Sequence, residues 1–285
     1  MTLIVLLIAL VLDFFLEGME KLRNKKWWIQ FYYFLENKIG HHAFWSGPLG
    51  VLAVLFLPML LVILLQVYFD YWSWLIEAIF SLLILVYCLA PKKLDERLEQ
   101  YITAIETENT EDKSKLESEL IYEELATGEN IELDVIKSTY IEAQQRIFSV
   151  IFWFLLLGAP GAILYKLVSI LSRELTGIRS GLVDSLFDLL HILEWPVSRL
   201  MVLGMALAGH LMDALNAWRS AEAISLDVNN KVLINGGQGA LQYEEGEDAS
   251  EDKAYWIKEL KSLINRTLII WLVVVAMMTL SGNLG

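Results

Sequence analysis

The chain has 285 residues, 56% of them hydrophobic and 12% aromatic, and a net charge of −13. Its mean hydropathy of +0.48 exceeds that of ordinary soluble domains, and its acidity excludes nucleic acid, which needs a basic footprint. The one cysteine, Cys88, excludes an intrachain disulfide and a thiolate metal site.

Six apolar stretches are read in chain order: Thr2 to Leu16, Pro48 to Phe69, Trp72 to Ala90, Ile147 to Ile170, Trp195 to Met212 and Thr267 to Leu280. A bilayer core of about 30 Å takes about 20 apolar residues as helix. The second, third and fourth stretches meet that length, and the fifth is slightly short. The first and last would span only by recruiting flanking residues or by thinning the bilayer. The first is not a cleavable signal, because it lacks a basic start and a small-residue cleavage site, and its charges follow the apolar run.

Asp13 closes the first predicted helix. The strip Trp27, Trp28, Phe31, Tyr32, Tyr33, Phe34 then predicts an interfacial helix over 25–39, since aromatic rings concentrate at headgroup level. The next two stretches form a hairpin turning at Asp70 and Tyr71, with Trp72 and Trp74 as an aromatic belt. Residues 91–146 form an acidic, mostly helical region carrying Glu106, Glu108, Glu111, Asp112, Glu117, Glu119, Glu123 and Glu124. Within it Leu116, Leu120 and Leu125 predict one helix, ended by Thr127-Gly128. Ile131, Val135, Ile136 and Tyr140 predict another that runs into the fourth stretch. Ser225 to Gly239, rich in Asn and Gly, reads as loop. A second acidic cluster follows at Glu244, Glu245, Glu247, Asp248, Glu251 and Asp252.

The expected fold is therefore an all-α integral membrane protein with about four to six transmembrane or re-entrant helices, an interfacial helix and an acidic helical loop. It divides into N-terminal membrane helices (1–90), the acidic region (91–146) and a C-terminal membrane core (147–285) with a loop at 215–266. Of the 22 Lys and Arg residues, 18 lie in Met19–Gly47, Pro91–Arg146 and Leu215–Arg266. The positive-inside rule places those segments in the cytoplasm and both termini outside.

Polar chemistry inside the apolar stretches marks the candidate site. Gly158-Ala159-Pro160-Gly161 breaks or kinks the fourth stretch, because proline removes a backbone bond and clashes with the preceding turn. Such a break needs a protein-lined or wet surrounding, or serves as a packing kink of small residues. Lys166 and Arg199 are costly in lipid. Either they snorkel to the interface, or they face a shared anionic small molecule in a pocket framed by Gly158, Pro160, Gly161, Tyr165 and Trp195. His210 with Asp213, and His191 with Glu194, are spaced as hydrogen-bonding pairs on a helix face. No three-ligand metal set and no phosphate-binding loop is visible, so neither metal nor cofactor is expected.

The fourth stretch, His191-Ile192-Leu193-Glu194-Trp195-Pro196-Val197-Ser198-Arg199-Leu200, Ala206-Leu207-Ala208-Gly209-His210, the opening Leu-Asp-Phe-Phe-Leu-Glu and Ala214-Leu215-Asn216-Ala217-Trp218 together resemble the AmpE family. That resemblance implies an inner-membrane regulator associated with β-lactamase induction, acting by binding an unknown protein partner or small anion. The aromatic pair, Gly-Ala-Pro-Gly-Ala, Tyr-Lys and the Trp–Pro–Arg-Leu element are also similar to the CobD/CbiB adenosylcobinamide-phosphate synthases. Those membrane enzymes join an amino alcohol phosphate to cobyric acid with ATP and magnesium. Where the synthases carry an acidic set, this chain reads Ile141-Glu142-Ala143-Gln144-Gln145-Arg146. Their Ser-Pro-Asn-Ala-Gly-x-Pro-Glu loop is represented by Asn229 and by Gly239-Ala240-Leu241. The resemblance thus implies a regulator first, a membrane enzyme on a phosphate-bearing substrate second, and a small-anion carrier third. A synthase-like core opening to the cytoplasm would make the fourth and fifth stretches re-entrant, breaking at Gly158–Gly161 and near Gly204–Gly209.

Overall fold

The computed structural model describes residues 2–15, 25–122, 125–128, 130–221, 228–243 and 254–281. The second acidic cluster, Glu123, Glu124, Lys21 and Arg23 lie outside them. Among the described residues every regular element is helical: α1 (Thr2–Phe15), α2 (Lys26–Ile39), α3 (Pro48–Trp72), α4 (Trp74–Cys88), α5 (Pro91–Glu106), α6 (Thr110–Leu120), α7 (Ile131–Ala143), α8 (Ser149–Leu157), α9 (Ala159–Glu174), α10 (Gly181–Ala208), α11 (Leu211–Ser220), α12 (Asn229–Leu241) and α13 (Tyr255–Leu280). Among the described residues four stretches are long and apolar enough to cross a membrane: α3, Trp74–Glu106 (which holds α4 and α5), α10 and α13. This is an all-α membrane protein.

Side-chain exposure supports that reading. Leu52, Phe56 and Leu57 on α3 are each more than half exposed, an apolar surface suited to lipid rather than water. Pro58 lies inside α3, as membrane helices tolerate.

Backbone contacts divide the chain into two compact units. The first holds Met1–Ala90, Ser149–Glu194 and Thr279–Gly285, the second Pro91–Phe148 and Trp195–Met278. In the first, α4 packs against α1, α3, α8 and α9, and α2 packs on α9. The aromatic helix α2 is docked on one face: Trp28 and Tyr32 are buried, and the Trp28 indole donates to the Leu167 carbonyl at 3.0 Å. Trp27, Tyr33 and Phe34 stay exposed on its other faces.

In the second unit, α7 packs on α5, α6 and α12, and α12 packs on α11. Side-chain caps start three helices here and in the first unit, each stabilising its helix by about 1 kcal/mol. Ser73 accepts from the Leu75 amide, Asn109 from that of Asp112, and Asn130 from that of Leu133. Asp134 closes the turn before α7 by accepting from the Thr127 and Gly128 amides. A π-turn, Gln144–Phe148, follows α7. Around it the amide of Gln144 and the hydroxyl of Tyr140 are buried without a hydrogen-bond partner, a cost of about 1–3 kcal/mol for each such group.

Several boundaries differ from the sequence reading. The α3–α4 hairpin turns at Ser73, two residues past the expected turn at Asp70 and Tyr71, because Ser73 can cap α4. The fifth apolar stretch, whose last residues turn into α11, is up to Ala208 the second half of a 28-residue helix. That helix passes straight through Gly204, whose missing side chain admits Thr267 and Trp271 of α13. The last stretch belongs to a 26-residue helix with a polar first half.

The largest difference is within 225–239, read as loop, of which 225–227 lie outside the described residues. From Asn229 onward it is α12. Its glycines serve close approach rather than a turn. A Cβ on Gly236 would lie 2.5 Å from Val202 of α10, and one on Gly237 would lie 2.7 Å from the Tyr140 ring of α7.

Candidate functional site

The break in the fourth apolar stretch falls at Gly158. Its φ of +70° belongs to a region that side-chain-bearing residues rarely adopt. Pro160 then sits in the first turn of α9, where its missing N–H removes no helical bond. The corner is sharp enough that a Cβ on Gly161 would collide with the Trp153 carbonyl. Close beside Gly158 is Gln66, which donates to Glu77 at 3.3 Å, while Ser81 donates to the same carboxylate oxygen at 2.9 Å. The broken helix therefore faces protein polar groups.

Further along α9, the buried Tyr165 hydroxyl donates to Glu194 Oε1 at 3.0 Å. Lys166 Nζ donates to the Cys88 carbonyl at 2.9 Å, meeting the C-terminal end of α4, where helix carbonyls lack intrahelical partners and a cation is favoured.

In the second unit, Arg199 is 7% exposed. Its Nη1 lies 2.6 Å from Asn229 Oδ1, and 3.0 Å from both Ser198 Oγ and the Trp195 carbonyl. The guanidinium carbon sits 4.6 Å from the centre of the Trp195 ring, a cation–π geometry. Three residues proposed from sequence, Trp195, Arg199 and Asn229, thus converge. Asn229 is 2% exposed at the start of α12, where the glycine contacts with α7 and α10 hold it.

Lys166, Tyr165, Gly158, Pro160 and Gly161 belong to the first unit, and Trp195, Arg199, His210 and Asn229 to the second. His210 joins the α10–α11 corner, eleven residues beyond Arg199. Its backbone amide donates to the Ala240 carbonyl at 3.0 Å, and it lines a cavity of about 1050 Å³. Of the expected histidine pairs, Asp213 takes a hydrogen bond from Gln242 at 2.7 Å, and Glu194 takes one from Tyr165.

Magnesium, implied by the synthase resemblance, needs oxygen donors from carboxylates. Glu142, the carboxylate in the segment that the sequence reading set against the synthases' acidic residues, is 3% exposed. Arg146 holds it at 2.5 Å and Arg97 at 3.4 Å. Among the described residues no group of three or more His, Cys, Asp or Glu is placed to hold a metal. Glu142 is thus engaged by two arginines, and no metal-dependent step is assigned to it.

Comparison with known proteins gives a family match. The model of the CobD/Cbib protein family matches residues 6–241. Over 111 residues the chain is 31% identical to the cobalamin biosynthesis protein CobD of Chromobacterium violaceum, covering 37% of this chain and 35% of that protein. Over 100 residues it is 31% identical to the cobalamin biosynthesis protein CobD of Stutzerimonas stutzeri, covering 33% of this chain and 32% of that one. The matched part spans about a third of each relative's length. No solved structure matches significantly.

Proposed function

The chain belongs to the CobD/CbiB family, and from that premise we propose that it is a bacterial inner-membrane enzyme acting on a phosphate-bearing substrate. The observation that carries this reading is the buried Arg199 with its Asn229 and Ser198 partners inside the family-matched segment. A guanidinium recognises phosphate through paired N–H donors. Trp195 fixes one face of that guanidinium and Asn229 one of its nitrogens, so its donors are oriented before substrate arrives. A desolvated cation also attracts an anion more strongly than one in water. In this reading the basic-rich segments face the cytoplasm, as their Lys and Arg content favours.

The relatives' names, which place them in cobalamin biosynthesis, suggest the test. The gene should restore cobalamin-dependent growth to a strain lacking its adenosylcobinamide-phosphate synthase. Arg199→Gln should abolish growth at unchanged protein level, while Arg199→Lys should retain part of it. No growth with the wild-type gene would reject the enzyme reading.

A second reading is favoured by one observation. Glu142 is neutralised by Arg97 and Arg146 where the synthases carry their acidic set. On this reading the chain is an AmpE-type regulator linked to β-lactamase induction, which keeps the family fold and acts by binding. Deleting the gene should then change β-lactamase induction and leave corrinoid synthesis untouched.

A further inference from the structure

One side of α13 changes character halfway along its length. Ile257, Leu260, Leu263, Ile264 and Thr267 form its buried face. At helical spacing, the side turned away from them carries Lys258, Ser262, Asn265 and Arg266, flanked by Lys261. The same side continues as Ile269, Val273 and Met277, each more than half exposed. Cationic and polar groups are thus followed, along one stripe, by a bare apolar track.

The cationic half borders a groove of about 500 Å³ against α5, to which Glu99, Ile102 and Thr103 contribute. Lys258, Lys261 and Arg266 line it against one carboxylate, Glu99, a local excess of positive charge in a chain of net charge −13. Ion pairs set the positions of these cations. Lys258 meets Glu106 at 2.6 Å, Lys261 meets Asp95 at 3.0 Å and Glu99 at 2.5 Å, and Arg266 meets Glu259 at 3.6 Å. The first two residues thereby hold α13 to α5. The carboxylate partners are well exposed, and exposed pairs contribute little, so a competing anion displaces them readily. The groove lies where the polar half of α13 gives way to its apolar half, the depth at which headgroups meet a membrane helix.

We propose that this groove binds an anionic phospholipid, its phosphate against Arg266 and Lys258 and an acyl chain along Ile269, Val273 and Met277. A guanidinium and an ammonium suit a phosphodiester, and the Ser262 and Thr103 hydroxyls and the Asn265 amide suit a polar headgroup. A free anion would leave the apolar track uncovered, which is why a lipid is the occupant. The site stands apart from the Arg199 cluster, and the inference does not depend on the substrate reading.

The test uses the full-length protein in detergent, with lipid binding followed by native mass spectrometry. Dioleoylphosphatidylglycerol should bind at least about fivefold more tightly than dioleoylphosphatidylcholine, which has the same chains and phosphate but no net charge, and inorganic phosphate should not displace it. Arg266→Gln and Lys258→Gln should each weaken phosphatidylglycerol binding about fivefold. Lys113→Gln, the same loss of charge on α6, should leave it unchanged. Glu99→Gln should tighten it, because that change removes the carboxylate from the lining; its opposite sign keeps the test decisive if a cation variant fails to fold. Equal binding of the two lipids, displacement by inorganic phosphate, indifference to Arg266→Gln, weaker binding in Glu99→Gln, or an equal loss in Lys113→Gln would overturn the proposal.

Discussion

Replacing Gly237 by alanine sets two effects of opposite sign against each other. Alanine is the better helix former, by about 1 kcal/mol in a helix interior. On propensity alone the variant should be more stable. The structure reverses the sign. The added methyl would sit 2.7, 2.8 and 2.9 Å from three carbons of the Tyr140 ring, well inside the ordinary carbon–carbon separation of about 3.5–4.0 Å. Tyr140 is fully buried and has no room to swing aside. Relief must come from moving α7 against α12, and overpacking of this kind costs about 1–3 kcal/mol. The net expectation is a loss of about 0–2 kcal/mol, read as a lower thermal midpoint of the purified protein in detergent. Tyr140→Leu should be destabilising alone, yet should erase most of the Gly237→Ala penalty when the two are combined. The signature is thus a non-additive double-mutant cycle. A Gly237→Ala protein with a raised midpoint, or additive effects in the pair, would refute the packing argument.

Three further outcomes follow from the geometry. Gly158→Ala should destabilise by about 1–3 kcal/mol, because φ of +70° strains a side-chain-bearing residue, and the thermal midpoint reads it directly. Burial raises the Glu132 carboxyl, opposed by Lys113, so folding favours its protonated form. The folded state should therefore gain stability as pH falls through the titration of Glu132, and Glu132→Gln should flatten that slope and stabilise near neutrality, as thermal scans at several pH values would report. Reporter fusions after Lys115 should be active on the cytoplasmic side, and a periplasmic signal there would invert the proposed orientation.

Most of the helices were legible because apolar runs of bilayer length have few alternatives. The break at Gly158 was legible too, since Gly-Ala-Pro-Gly conflicts with an unbroken helix. Two helices were longer than read. Asp184, Asp188 and Glu194 disguised the first half of α10, and Lys258, Glu259 and Lys261 that of α13, because hydropathy marks where a helix is apolar and not where it ends. Residues 229–241 misled in another way: Asn and Gly predict loop by local preference, and only contacts with Val202, Tyr140 and Asp213 make the segment helical. Arg199 and Asn229 stood out singly, one as a charge in an apolar run and one through the family resemblance, but thirty residues of separation hid their contact. The cavity had weaker signals still. His210, Asp213 and Ala217 share one helix face, yet Tyr243, Trp256 and Glu259, which also line the cavity, come from segments with no common motif.

That glycine-rich helix also has a consequence for cooperativity. With Gly236, Gly237 and Gly239 in thirteen residues, α12 has little helicity of its own, since glycine favours the unfolded chain. Its order is borrowed from α7, α10 and α11. Loosening any one of those contacts should release the whole segment together, and with it both Asn229 at one end and the cavity floor at the other. Backbone amides along α12 should then exchange with solvent as a single block, and ligands that occupy either end would slow exchange at both.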